Sequence, residues 1–276
     1  MHIEPRDFDD DLSSVPRHWV GGHVAATAIS NGINLLFPHG ERFFVRSVKH
    51  FLGEIEDPAL RAEIKGFFGQ EGRHAHAHDD LNAVLRTQGF EIDQFLGRYK
   101  RITDWLEQRT PPTLRLAVTA AAEHFTAILA EGAFRHGVLD TCDPKMQRLL
   151  AWHAAEEIEH KHVAFDVLQR IDPSYALRVT GLLYATVTLG GFWFAAARML
   201  LRQDGLSLGE TLRSLRAIPN RAPVIRRVFG HGIRQYLKRD FHPNHLDNRE
   251  LAAAWFATRG LSLPGQEAAM KRAGHP

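Results

Sequence analysis

Two pairs of residues have the types and spacing to do chemistry together, Glu71 with His74 and Glu157 with His160. Three residues advance an α-helix by about 300°, so each Glu-x-x-His pair sets a carboxylate and an imidazole about 60° apart on one face. Carboxylate oxygen and imidazole nitrogen together suit Fe, Mn or Zn. A thiolate site is excluded, because Cys142 is the only cysteine while histidines number 17. The motif alone is cheap: 16 Glu and 17 His in 276 positions yield about one match by chance, and a third, Glu159/His162, also occurs.

Helical-wheel position separates the three. Over residues 58–88 the face centred on Glu71 collects Leu60, Ile64, Phe67, Phe68, His74, Ala75 and Leu85, while Arg73, His76 and Asp80 point elsewhere. Over 144–171 the face near His160 collects Met146, Leu149, His153, Glu157, Ala164, Val167 and Leu168. Glu159 and His162 fall on the other side and read as the chance match. Two further segments each place one glutamate on an apolar or small-residue face: Glu41 among Phe37, Phe44, Val48 and Leu52, and Glu123 among Leu116, Ala120, Ala127 and Ala130.

Burying one unpaired carboxylate costs several kcal/mol, so four aimed into one core need compensating charge. Two divalent cations carry +4 and supply it. The order Glu, Glu-x-x-His, Glu, Glu-x-x-His over four helices is that of carboxylate-bridged di-metal bundles. The expected metal ligands are Glu41, Glu71, His74, Glu123, Glu157 and His160, with His153, one turn before Glu157, as a third imidazole. His78, Glu156 and His124 are candidates for the groups behind the ligands.

The elements that must position these residues are helical. Asp57-Pro58 and Asp143-Pro144 each read as an N-cap followed by an N1 proline, opening helices that run to Gly89 and to Asp172-Pro173. Residues 91–108 and 113–137 show three-to-four apolar spacing, 24–36 and 39–55 read as further helices around Pro38, and no useful stretch alternates with period two. The fold class is all-α, a four-helix bundle core with additional C-terminal helices. Residues 1–22 read as an irregular arm, 23–173 as the di-metal bundle, and 174–276 as C-terminal helices packed on it. Residues 179–197 carry no charge, a length at the lower edge of a membrane span. Such a segment is more commonly a buried helix, or half of an apolar hairpin broken at Gly190-Gly191. From Arg198 to Arg239 ten Lys/Arg follow against Asp204 and Glu210, a strip that suits either anionic lipid or solvent.

A net charge of +2 gives no global reason to expect a nucleic-acid partner. The lone cysteine suits a reducing cytosol, and the acidic N-terminus (Asp7, Asp9, Asp10, Asp11) resembles neither a secretory signal nor a transit peptide.

In FPHGERFF, FFGQEGRHAHAH, TAAAEHFTA and AWHAAEEIEHKH, between about Phe37 and Arg170, the chain resembles the ferritin-like superfamily, and within it a bacterial family labelled predicted metal-dependent hydrolases. The His-x-x-x-Glu-x-x-His run is also similar to the last ligand helix of di-iron N-oxygenases. The resemblance implies a ferritin-like bundle holding two Fe ions, with Mn or Zn as alternatives. The expected activity is O2-dependent oxidation of a small or apolar organic substrate, with O2 and an electron donor as partners. The alternative is hydrolysis by a metal-activated water. A cytoplasmic protein is expected, peripheral to the inner membrane if the basic strip meets lipid, and a homodimer is compatible with the pattern.

Overall fold

A computed structural model describes residues 3–216 and 230–259 and bears out the all-α class. No β-strand occurs among the described residues, only a single bridge between Val20 and Cys142. In chain order the helices are α1 (Val24–Asn34), α2 (Phe37–Lys49), α3 (Pro58–Thr87), α4 (Asp93–Arg109), α5 (Pro112–Arg135), α6 (Pro144–His160), α7 (Val163–Ile171), α8 (Tyr175–Gln203), α9 (Leu208–Arg216), α10 (Ile233–Tyr236) and α11 (Arg249–Ala257). Of the basic strip, Arg221, Arg226 and Arg227 lie outside the described residues.

Local chemistry sets the helix ends. The Asp57 carboxylate accepts from the Ala59 amide at 2.9 Å, and Asp143 accepts from Lys145 at the same distance. Each such cap contributes about 1 kcal/mol. At the other end of α3, Gly89 adopts φ +84°, which lets the Phe90 amide donate back to the Leu85 carbonyl.

Four helices close a ring around the site: α2 packs on α3, α3 on α6, α6 on α5 and α5 on α2. Alanines on α5 bring its neighbours close. Gly181 of α8 lies so near that a Cβ there would meet the Ala117 backbone at 2.5 Å. Residues 3–22 form no helix, yet they are part of the packing: Ile3, Leu12, Val15 and Trp19 are buried. Gly66 on α3 makes room for it, since a Cβ would stand 2.3 Å from the Ile3 carbonyl oxygen.

Three expectations need correction. The helix expected over 144–171 is broken at Lys161-His162 into α6 and α7. Distant elements hold both side chains at the break: the Lys161 ammonium donates to the Leu246 carbonyl and Asn248 Oδ1, and His162 bonds Glu63. Residues 175–203 form one continuous helix through Gly190-Gly191 rather than a hairpin. Packing on α1 and α5 offsets the roughly 1 kcal/mol per glycine that helix propensity costs. Nor is that helix buried all round, for Leu183, Val187 and Phe194 are 65%, 64% and 70% exposed.

Gly66→Ala should lower stability by about 1–3 kcal/mol in urea denaturation, because the Ile3 backbone must shift. Gly72→Ala, on the same helix but with nothing near its Cβ position, should be neutral or stabilising by up to about 1 kcal/mol. Equal effects at the two sites would exclude arm docking as the cause.

Candidate metal centre

The ring of helices aims the seven expected residues at one interior volume. Glu41 comes from α2, Glu71 and His74 from α3, Glu123 from α5, and His153, Glu157 and His160 from α6. All are buried, the most exposed being His153 at 4%. On one side of the cluster His160 Nε2 lies 3.1 Å from Glu71 and 3.2 Å from Glu123. On the other, His153 Nε2 lies 2.9 Å from Glu157 and 3.6 Å from Glu41. Between them Glu157 Oε1 is 3.6 Å from His160 Nε2 and 3.7 Å from His74 Nδ1.

Potential ligand atoms fall into overlapping groups, each within 4.8 Å: Glu71, Glu123 and His160; Glu41, Glu71 and His74; His74, His153 and Glu157; and Glu41, His78 and His153. Glu71 belongs to two of them, one on each side. Both oxygens of Glu41, Glu71 and Glu123, Glu157 Oε2, His74 Nδ1 and His160 Nε2 are buried without a hydrogen-bond partner. Unpaired buried polar atoms are rare because each costs about 1–3 kcal/mol, more when charged. Here they share one centre, as donors to cations would.

Electrostatics expresses the same strain. Burial, then the other glutamates, holds Glu41 well above the usual carboxylate range. Burial and then Glu123 do so for Glu71, and burial with Glu157 pushes Glu123 up to about 7. Glu157 moves the opposite way: burial opposes its ionisation, but His160 and His153 outweigh it and hold the carboxyl well below that range. Correspondingly, His160 is held well above the ordinary imidazole value by the glutamates around it, against its burial. Without cations, protons are left to neutralise the cluster.

Behind it stands a second ring. His74 Nε2–H donates to Glu156 at 2.9 Å, and His160 Nδ1–H donates to Gln70 Oε1 at 2.8 Å. Gln70 in turn donates through Nε2 to Glu159 at 2.6 Å and to the Glu4 carbonyl at 3.0 Å. Arg6 joins the ring, its backbone amide and guanidinium donating to Glu156 at 3.1 and 3.2 Å, and the guanidinium to Glu159 at 2.8 Å. These acceptors fix each imidazole's outer nitrogen as a donor, which aims the lone pair of the other nitrogen at the cluster.

Arg6 and Gln70 are absent from the sequence-derived set. Gln70 adjoins Glu71 but sits about 100° away on the wheel, and Arg6 lies in the non-periodic arm. Glu159 and His162 do point away from the cluster, yet both are buried, in the outer ring and against Glu63 respectively. Of the three outer candidates, Glu156 lies behind His74, and His78 Nε2 shares a hydrogen bond with His153 Nδ1 at 2.7 Å. His124 is a correction. Its ring bonds the Gly232 carbonyl and packs on Tyr236 and Phe241, because the C-terminal segment covers that face of α5.

Two concavities of about 1200 and 620 Å³ include none of the seven residues. A cavity of about 80 Å³ does reach the cluster. Ile33, Phe37, Phe44, Phe125, Leu189 and Trp193 wall it, and among the described residues Glu41 is its only charged lining residue.

Arg6→Met should destabilise the protein by about 3–5 kcal/mol, because Glu159 loses its buried counter-charge and Glu156, which burial pushes up to about 8, loses a hydrogen-bond donor; chemical denaturation measures it, and adding Glu159→Gln should recover part of the loss. A pH effect follows from Glu123. Its folded value of about 7 lies above the ordinary 4.5, so its stabilising contribution is complete below about 4.5 and is lost as pH rises through 7. His160 has the same sign. Metal-free protein should therefore melt at lower temperature at pH 8 than at pH 7, while the gain in melting temperature on adding Mn(II) or Zn(II) grows over the same interval, as protons cease to compete.

No curated protein and no solved structure matches the chain. A family model described as predicted metal-dependent hydrolase matches residues 4–247, reaching beyond the Phe37–Arg170 stretch of the ligand-like motifs into the arm at one end and past α10 at the other. All seven cluster residues, and Arg6 and Gln70 behind them, lie within the match. The chain belongs to the predicted metal-dependent hydrolase family.

Proposed function

We propose that the protein is a hydrolase that uses two divalent cations held by Glu41, Glu71, His74, Glu123, His153, Glu157 and His160. The observation that carries this reading is the set of buried, unpartnered carboxylate oxygens that four helices turn toward one volume. Cations in that volume would polarise a carbonyl or phosphoryl oxygen and supply hydroxide from water near neutral pH. The chain's own contribution is orientation and exclusion. Glu156 and Gln70 hold the rings of His74 and His160, and His78 holds His153. Trp152 and Phe67 pack edge-on against His74 and His160 and limit solvent access. The apolar cavity ending at Glu41 favours a substrate whose leading group is hydrophobic, such as an ester of an apolar acid or alcohol.

A second reading rests on the donor set. Four carboxylates with three imidazoles also suit two irons, and an apolar approach suits O2-dependent oxidation of a hydrocarbon-like substrate. Ferritin-like bundles share this order of ligands, and a fold of that kind accommodates both reactions.

Elemental analysis of protein purified without added metal should find about two metal ions per chain. Glu157→Ala and His160→Ala should each lose most of that metal; unchanged content in either refutes the assignment. His153→Ala separates a seven-ligand site from a six-ligand one. Zn- or Mn-loaded protein that turns over apolar esters under anaerobic conditions supports hydrolysis, whereas turnover that requires iron and O2 replaces it with the oxidative reading.

A further inference from the structure

The site chemistry leaves the outer face of α8 unused. Ala176, Thr180, Leu183, Val187, Gly190, Gly191, Phe194 and Ala195 recur at three- and four-residue steps and are exposed together. The three large side chains, Leu183, Val187 and Phe194, are about two-thirds exposed. From Ala176 to Ala195 the stripe runs about 29 Å along the helix with no exposed charge in it. Scattered exposed apolar residues need no explanation, but a continuous stripe of this length marks an interaction surface.

Cations flank it at both ends. Beyond its C-terminal end Arg202 is exposed, and Arg213 and Arg216 follow on α9. At its N-terminal end the Tyr175 hydroxyl donates to the Leu237 carbonyl, which anchors exposed Lys238 and Arg239 there, with the Arg239 guanidinium 4.6 Å from the Tyr175 ring centroid. Nearby acids are partly engaged, since Asp204 binds Arg17 and Glu210 binds Ser207. Arg202 and Arg216 have no ion-pair partner among the described residues.

α8 is long and apolar enough to cross a bilayer, but its inner face is closed against α1 and α5. The near-contact of Gly181 with Ala117 and of Gly32 with Ala197 leaves no room for lipid on that side. Its geometry suits a helix lying in the plane of a membrane surface. Antiparallel pairing with a second copy would bring the Arg202 end of one helix against the Lys238-Arg239 end of the other, a repulsive arrangement. An anionic surface is attractive at both ends.

We propose that the outer face of α8 docks the protein onto an anionic lipid bilayer, with Leu183, Val187 and Phe194 entering the headgroup–acyl boundary and the flanking arginines and lysine meeting lipid phosphates or carboxylates. Because α8 also forms a wall of the cavity that reaches Glu41, through Leu189, Gly190 and Trp193, docking places that cavity beside the lipid. The docking itself is independent of which reaction the site performs.

The test is flotation of the full-length protein with phosphatidylcholine vesicles, with and without phosphatidylglycerol, alongside size-exclusion chromatography. Wild-type protein should float with the anionic vesicles and only weakly with the zwitterionic ones. The triple variant Leu183→Glu, Val187→Glu, Phe194→Glu should lose at least about tenfold in apparent affinity while keeping its melting transition, since all three side chains are exposed. Arg202→Glu and Arg216→Glu should each weaken binding roughly fivefold on the anionic vesicles alone. Failure of the wild type to float, or equal flotation of the triple variant, overturns the proposal. So does a wild-type dimer that does not float and that the triple variant dissolves, which would assign the face to a second copy.

Discussion

Four glutamates, each at most 3% exposed, face one another across the interior of a helical ring. Carboxylates brought that close in a low-dielectric space repel strongly, and each has also lost its hydration. The protein's interior is organised around neutralising them. Metal-free, it does so with protons, as the raised positions of Glu41, Glu71 and Glu123 and the His160–Glu157 pair show. Cations bound there would do so without a proton on each donor and would satisfy the lone pairs that no hydrogen bond reaches.

The same constraint explains why the centre has two layers. An imidazole can present a bare nitrogen inward only if its other nitrogen has an acceptor outside, so His74 needs Glu156 and His160 needs Gln70. Placing two more carboxylates, Glu156 and Glu159, in the outer layer extends the charge problem by one shell. Arg6 closes it, with its guanidinium also stacked 3.9 Å from the Phe256 ring centroid of α11. An arm with no secondary structure of its own thereby becomes part of the centre, and the glycine at position 66 admits it to the surface of α3.

α8 divides its two faces between different tasks. Its inner face uses small residues to approach α5 and α1 closely and uses Leu189 and Trp193 to wall the cavity at Glu41, with Trp193 fixed by a hydrogen bond to the Ile29 carbonyl. Its outer face is apolar without a partner among the described residues. A helix that is hydrophobic all round is expected to be buried all round. Here half of it is not, and that asymmetry distinguishes a surface element from a core one.

Helix class, the starts of α1, α3, α5 and α6 and the grouping of the seven cluster residues follow from the sequence alone, for a physical reason: caps, N1 prolines and three-to-four spacing are local, and a helix carries its face pattern rigidly through space. Once Glu41, Glu71, Glu123 and Glu157 lie on inward faces of four helices, any ring of those helices brings them together. Tertiary structure alone decided what depends on contacts between residues far apart in the chain. Arg6 meets Glu156 and Glu159 across some 150 positions, and Gln70 meets His160 across 90. His124 turns toward the C-terminal segment, Lys161 and His162 interrupt a periodic helix, and Gly190-Gly191 do not interrupt theirs. In each case the free energy of a long-range bond or packed face exceeds a local preference of about 1 kcal/mol, and no window of sequence contains both partners.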